Sequence, residues 1–274
     1  MDFNLTPSAP SAREGGGKGA KVAVCGKGGV GKSTIAAALA LTLSRRGEEV
    51  LALDADPDAN LASALGVPHA LRASIVPIAR QIALIEERTG ATVDNYGKVF
   101  KLNPDVKDVA ERFGYCHNGI NLLVLGAIQQ GGGGCACPAS TFARALVTDL
   151  VLYKNQHLIM DMEAGVEHLG RATTQGVDVL VIVTEPGQRA VDCAQSVVKM
   201  ASEIGIQRFL FVGNKITGEE DEVFLKNALP GCEFAAMLPY SDSIRQVDRD
   251  GVSVLGTGNA ALEEAAESIL AGIR

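Results

Sequence analysis

Short, almost unbroken apolar runs punctuate the chain: KVAVC (Lys21–Cys25), VLALD (Val50–Asp54), LLVLG (Leu122–Gly126), HLIMD (His157–Asp161), VLVIV (Val179–Val183), RFLFVGN (Arg208–Asn214) and FAAML (Phe234–Leu238). Their lengths and their wealth of Val, Ile and Leu read as strands buried on both faces. Between them lie longer stretches with the 3.6-residue rhythm of helices, among them Ser33–Gly47, Thr141–Asn155, Ala190–Gly205 and Ala260–Ile273. Such alternation predicts an α/β fold, a mostly parallel sheet of seven to eight strands with helices on both faces. Residues 71–119 break the rhythm. They carry helical pieces (IARQIALIEERTG and PDVKDVAERFG) and no clear strand, so they read as a helical insertion, either a cover for the sheet edge or a partner-binding element. No internal repeat is apparent.

Composition narrows the functional classes. The 274 residues suffice for one large domain, which the pattern places at 21–274. Residues 1–20, MDFNLTPSAPSAREGGGKGA, read as a flexible tail. A formal charge of −7 without clustered Lys or Arg disfavours nucleic acid as partner. The apolar runs are too short to span a bilayer, so no membrane partner is expected. Six cysteines without a secretory leader lead to the expectation of reduced thiols and a cytoplasmic location.

Chemistry enters at GKGGVGKS (Gly26–Ser33), which fits G-x-x-x-x-G-K-[ST] and stands between a strand and a helix. Backbone amides of Gly28, Gly29, Val30, Gly31 and the helix start through Thr34 can wrap phosphates, aided by the partial positive charge of the helix N-terminus. Lys32 is the expected contact to the β- and γ-phosphates, and the Ser33 hydroxyl a ligand to Mg²⁺. DADPDAN (Asp54–Asn60) and DMEAG (Asp161–Gly165) follow the second and fourth strands. Loops after parallel strands open on one edge, so Asp54, Asp56 and Asp161 converge there, where carboxylates suit Mg²⁺ and the orientation of a water. Taken singly, each could instead cap a helix.

With Lys27 at the second loop position and D-x-D-P after the second strand, the chain resembles the deviant Walker A ATPases of the MinD/ParA/nitrogenase-iron-protein class of P-loop NTPases. That resemblance implies ATP, a homodimer in which Lys27 reaches the partner's nucleotide, and catalytic roles for Lys27, Lys32 and Asp56. It places Ser33, Asp54 and Asp161 around Mg²⁺. Asn214–Lys215 and LPYSDSI (Leu238–Ile244), with Pro239, resemble the segments that contact adenine. Read from the residues alone, Asn214 serves equally well as a turn former.

GGGGCACP (Gly131–Pro138) sets two thiols behind four glycines, after the third strand. One Cys135/Cys137 pair cannot close a four-coordinate site; two pairs about a two-fold axis can, for Zn²⁺ or Ni²⁺. A disulfide at this spacing is strained, and the usual redox motif is C-x-x-C. Together with the Lys101–Pro104 and Asn118–Ile120 segments, these motifs resemble the CooC-type family, nickel-insertion ATPases that mature carbon monoxide dehydrogenase. The resemblance covers Lys21 to the C-terminus. It implies an ATP-dependent metallochaperone whose partner is apo carbon monoxide dehydrogenase. Rival readings are an iron–sulfur or other metal-cluster maturation ATPase, and a spatial-organising ATPase of the MinD or ParA kind. The first lacks a second cluster cysteine between Asp161 and Cys193, and the second lacks a basic amphipathic C-terminal helix. Cys116 beside His117 reads as structural, and Cys25, Cys193 and Cys232 as packing residues.

Overall fold

The computed structural model describes residues 19–91, 100–127, 138–165, 176–256 and 258–273. Cys135 and Cys137 lie outside the described residues. The elements are β1 (Lys21–Cys25), α1 (Lys32–Arg45), β2 (Val50–Asp54), the short helices α2 (Leu61–Ala64) and α3 (His69–Arg72), a 3₁₀ turn (Ile78–Arg80), α4 (Ile82–Thr89), α5 (Val109–Phe113), β3 (Tyr115–His117) and β4 (Ile120–Val124). Then follow α6 (Pro138–Leu152), β5 (His157–Asp161), β6 (Val179–Thr184), α7 (Gln188–Ile204), β7 (Phe209–Ile216), α8 (Glu219–Ala228), β8 (Phe234–Pro239), α9 (Asp242–Asp250) and α10 (Ala260–Ile273).

The described strands form one sheet in the order β3-β4-β2-β5-β1-β6-β7-β8. Every neighbouring pair is parallel except β3 with β4. Alternate residues of each central strand enter opposite apolar layers, as the pleat requires. Ala23 and Cys25 join Leu51, Leu53 and the inner faces of α6 and α7, whereas Val22 and Val24 join Val50, Ala52, α1 and α10. Both layers are apolar and buried, which explains the continuous apolar runs. In α7, buried Ala190, Val191, Ala194, Val197, Val198 and Ala201 follow helical spacing, and Gly205 ends the helix with φ 105°.

The expected α/β sheet is present, with one addition. The 71–119 stretch, read as strandless, contains β3. Asn118 (φ 50°) and Gly119 (φ 74°) make a two-residue turn that folds β3 back onto β4. Asn-Gly is the dipeptide that such a turn favours, because both central residues need positive φ. The hairpin also starts β4 at Ile120, two residues before the expected Leu122. Residues Cys116 and His117 sit next to each other on β3, so their side chains leave opposite faces of the pleat. That arrangement turns the two side chains away from a common ion.

Candidate nucleotide site

Because β1, β2, β5, β6 and β7 run parallel, their C-terminal ends meet along one rim, and the P-loop rises from the middle of it. Two of its glycines are sterically required. At Gly26 (φ 147°) an added Cβ would lie 2.2 Å from the Val183 carbonyl oxygen. At Gly31 (φ 102°) it would meet the Asn214 amide nitrogen at 2.4 Å. Gly31 is also the N-cap of α1; it supplies no side-chain cap, and the first turn holds no acidic residue. The first amides of α1 are therefore free of side-chain caps, the arrangement that receives anions. Gly28 and Gly29 are exposed, with open space where a side chain would go. The Val30 side chain is fully buried in the apolar layer, so only its backbone belongs to the loop. Ser33 and Thr34 are half-buried on the first turn of α1.

Lys32 is only 7% exposed, and its Nζ lies 3.4 Å from Asp56 Oδ2. An ammonium this deep needs a counter-charge, and Asp56 supplies it from the loop after β2. Behind that pair, Asp54 and Asp161 end adjacent strands in register and are both fully buried. Asp54 accepts the backbone N–H of Leu61 at 2.9 Å and of Asp56 at 3.3 Å. Burial, and then the Asp161 charge, nonetheless push its carboxyl up to about 8. Burial also raises Asp161, to about 6, although the nearby Ser33 hydroxyl and Lys32 favour its charged form. Neither Asp161 oxygen has a hydrogen-bond partner in normal geometry among the described residues. Two buried carboxyls side by side, one of them with both oxygens unpartnered, and a nearby serine hydroxyl form a hard-oxygen donor set. That set fits Mg²⁺.

On the other flank of β1, Lys27 Nζ lies 3.7 Å from Glu185 Oε1. Glu185 follows β6, and its other oxygen receives Lys215 Nζ at 2.8 Å. Lys215 has φ 61°, a bend inside β7 that coincides with a register shift against β8. The bend aims its ammonium at the P-loop, where it also donates to the Gly29 carbonyl at 2.7 Å. Asn214 donates its side-chain amide to the Val30 carbonyl, again at 2.7 Å. The Asn-Lys pair thus braces the phosphate loop, and β7 continues past it to Ile216 instead of stopping there. Pro239, at the exposed end of β8, is the register partner of Ile216. Sequence reasoning missed Glu185. Its only linear signal was an acidic residue just after a buried strand.

The described cysteines are free thiols. Burial pushes the Cys25 and Cys193 thiols up, and Cys232 up to about 11, so all three hold their protons and are poor nucleophiles. Among the described residues no cluster of three or more His, Cys, Asp or Glu is arranged to hold a metal ion, and no helix is long and apolar enough to cross a membrane.

A parallel sheet with a lysine-rich P-loop after its central strand β1 and buried carboxylates ending β5 and β2 on one side of it defines a nucleotide-hydrolysing P-loop protein. Residues 21–254 match the CbiA family, the CobQ/CobB/MinD/ParA nucleotide binding domain, and the chain belongs to that family. More narrowly, it is a CooC-like ATPase. It is 40% identical over 245 residues to the carbon monoxide dehydrogenase accessory protein CooC of Rhodospirillum rubrum, covering 89% of this chain and 93% of that protein. An uncharacterised ATP-binding protein of Methanocaldococcus jannaschii is also 40% identical, over 227 residues, covering 82% of this chain and 86% of the relative. In fold the chain is similar to the septum site-determining protein MinD from Pyrococcus horikoshii, solved with Mg-ADP. That match has a TM-score of 0.62 at 21% identity, across 93% of this chain and 98% of the other.

Proposed function

We propose that this ATPase is a metallochaperone that couples ATP-driven homodimerisation to nickel transfer. Two copies close over ATP, a Cys135/Cys137 pair from each completes a four-thiolate site for Ni²⁺ or Zn²⁺, and hydrolysis reopens the dimer so that nickel passes to apo carbon monoxide dehydrogenase. The observation that carries this reading is a shared rim. Val124, the last residue of β4, is the register partner of Asp54, and Leu125 donates its N–H to the Asp54 carbonyl at 2.8 Å. The segment 128–137, with both thiols, follows directly after Ala127. Nucleotide carboxylates and the approach to the thiol segment therefore leave one edge of the sheet together.

In this mechanism the amides of Gly28, Gly29, Val30, Gly31 and the α1 start through Thr34 bind the phosphates. Lys32 turns from Asp56 to the β- and γ-phosphates as the triphosphate enters. That move frees the Asp56 carboxylate to orient the attacking water. Ser33, Asp54 and Asp161 would hold Mg²⁺, which when bound neutralises charge on the phosphate oxygens. Lys27 crosses to the partner's nucleotide and stabilises the charge that develops on the transferred group. Asn214, Lys215 and Pro239 border the adenine side.

The test is size-exclusion chromatography with metal analysis, with and without ATP and Ni²⁺, on the wild type and a Cys135→Ser/Cys137→Ser variant. About one nickel per dimer is expected for the wild type, and none for the variant. Equal metal content in both would remove the thiols from the mechanism.

A further inference from the structure

Glu185 is shared. Its carboxylate lies 3.7 Å from Lys27 Nζ, and 2.8 Å from Lys215 Nζ. Lys27 belongs to the P-loop and Lys215 to the bent end of β7, so one anion faces two cations from elements far apart in sequence. The Lys27 pair is long and exposed to water, with side-chain exposures of 38% and 25%. Such a pair breaks at small cost. The Lys215 pair is shorter, and the Gly29 carbonyl holds the same ammonium from the other side.

We infer that Glu185 is a positioning residue that couples the two flanks of the site. It parks Lys27 on its own subunit; once Lys27 departs for the partner's nucleotide, the full carboxylate charge falls to Lys215. The inference rests on the reading that Lys27 acts across the dimer. Its physical basis is competition, since two cations divide the field of one anion and removing one strengthens the hold on the other. A firmer Lys215 holds the Gly29 carbonyl in its hydrogen bond, which steadies the loop whose amides would bind the phosphates. Dimer closure and nucleotide grip therefore tighten together through one side chain.

Glu185→Gln keeps the size and an acceptor oxygen but loses the charge, and the coupling predicts two effects of opposite kind. An unparked Lys27 makes closure easier, while a loosened Lys215 weakens ATP binding. Steady-state phosphate release from the full chain, measured across protein and ATP concentrations, separates them. The protein concentration for half-maximal turnover should fall, by about two- to twenty-fivefold, because each dimer releases two exposed pairs worth a factor of about 1.5 to 5 apiece. KM for ATP should rise about two- to fivefold. Glu185→Asp should return both values toward the wild type. A purely structural role would raise both together. An unchanged or raised half-maximal protein concentration, or an unchanged KM, overturns the inference. Lys215→Met supplies an independent arm if the glutamine variant does not fold. There Glu185 has only Lys27 to hold, and the half-maximal protein concentration at saturating ATP should rise. Lys27→Ala tests the underlying reading separately. If that variant still hydrolyses ATP with wild-type concentration dependence, the role of Lys27 across the dimer fails whatever Glu185 does.

Discussion

β1 divides the nucleotide rim into two unlike halves. Toward β5 and β2 the strand ends carry Asp161 and Asp54, fully buried and side by side. Toward β6 and β7 they carry Glu185 and Lys215, joined by Lys27 and open to water. In the buried half burial, joined at Asp54 by the neighbouring Asp161 charge, makes both carboxyls hold their protons more tightly than an ordinary aspartate. In the open half opposite charges pair, and water screens them. The first half carries an electrostatic cost that the nearby Lys32 offsets only in part. The second holds its charges loosely and can exchange partners at little cost.

The largest effect tests the buried half. Asp161→Asn removes one of the two like charges. ATP turnover should drop by roughly a hundredfold or more, the scale seen when one preorganised electrostatic group is lost. Above about pH 8, where both carboxyls are otherwise charged, the nucleotide-free protein should at the same time melt about 2–4 °C higher, since Asp54 loses its repulsive neighbour. Calorimetry beside a phosphate-release assay checks both, and a variant that loses stability along with activity would contradict the picture of a strained pair.

A pH series comes next. Asp54 titrates near 3.8 when unfolded and about 8 when folded, so between those values the native state holds a proton that the unfolded chain has released. Its contribution to stability is complete below about 4 and is lost as the pH rises through about 8. Asp161 acts with the same sign, up to about 6. Denaturant melts of nucleotide-free protein should therefore weaken across this window, and Asp54→Asn should flatten the slope between about pH 6 and 8, where Asp161 no longer contributes. A slope that survives the substitution would assign it elsewhere.

The smallest effect compares two glycines of the loop. Gly31→Ala forces a side chain into positive φ against Asn214 and should cost about 1–2 kcal/mol. Gly28→Ala meets open space and should stay within about 0.5 kcal/mol. Thermal melts without nucleotide distinguish them, and equal losses would mean that the Asn214 contact does not constrain the loop.

Much of this was legible in the residue order. The P-loop, Asp54, Asp56 and Asp161 were readable because each follows a buried apolar run, and parallel strands deliver their C-terminal ends to one rim. The β3–β4 hairpin was readable too, in Asn118–Gly119, but a three-residue strand on the sheet edge has too little apolar content to declare itself. The pairing of Lys27 with Glu185 left no local trace. It joins positions 27 and 185, brought together because β1 and β6 are neighbours in the sheet. The brace from Lys215 to Gly29 depends on a left-handed bend in β7, at a residue type that rarely adopts one.

The linear order of residues was enough to indicate the α/β class and the P-loop and to bring three aspartates to its rim, because periodicity and loop chemistry act over a few neighbouring positions. Strand order was not encoded in this local way. Only the folded sheet decided that two aspartates would share a buried site on one side of β1, while two lysines would share one glutamate near the surface on the other. The reason is physical: burial and Coulomb energy depend on distances in space, and these are set when strands distant in sequence become neighbours.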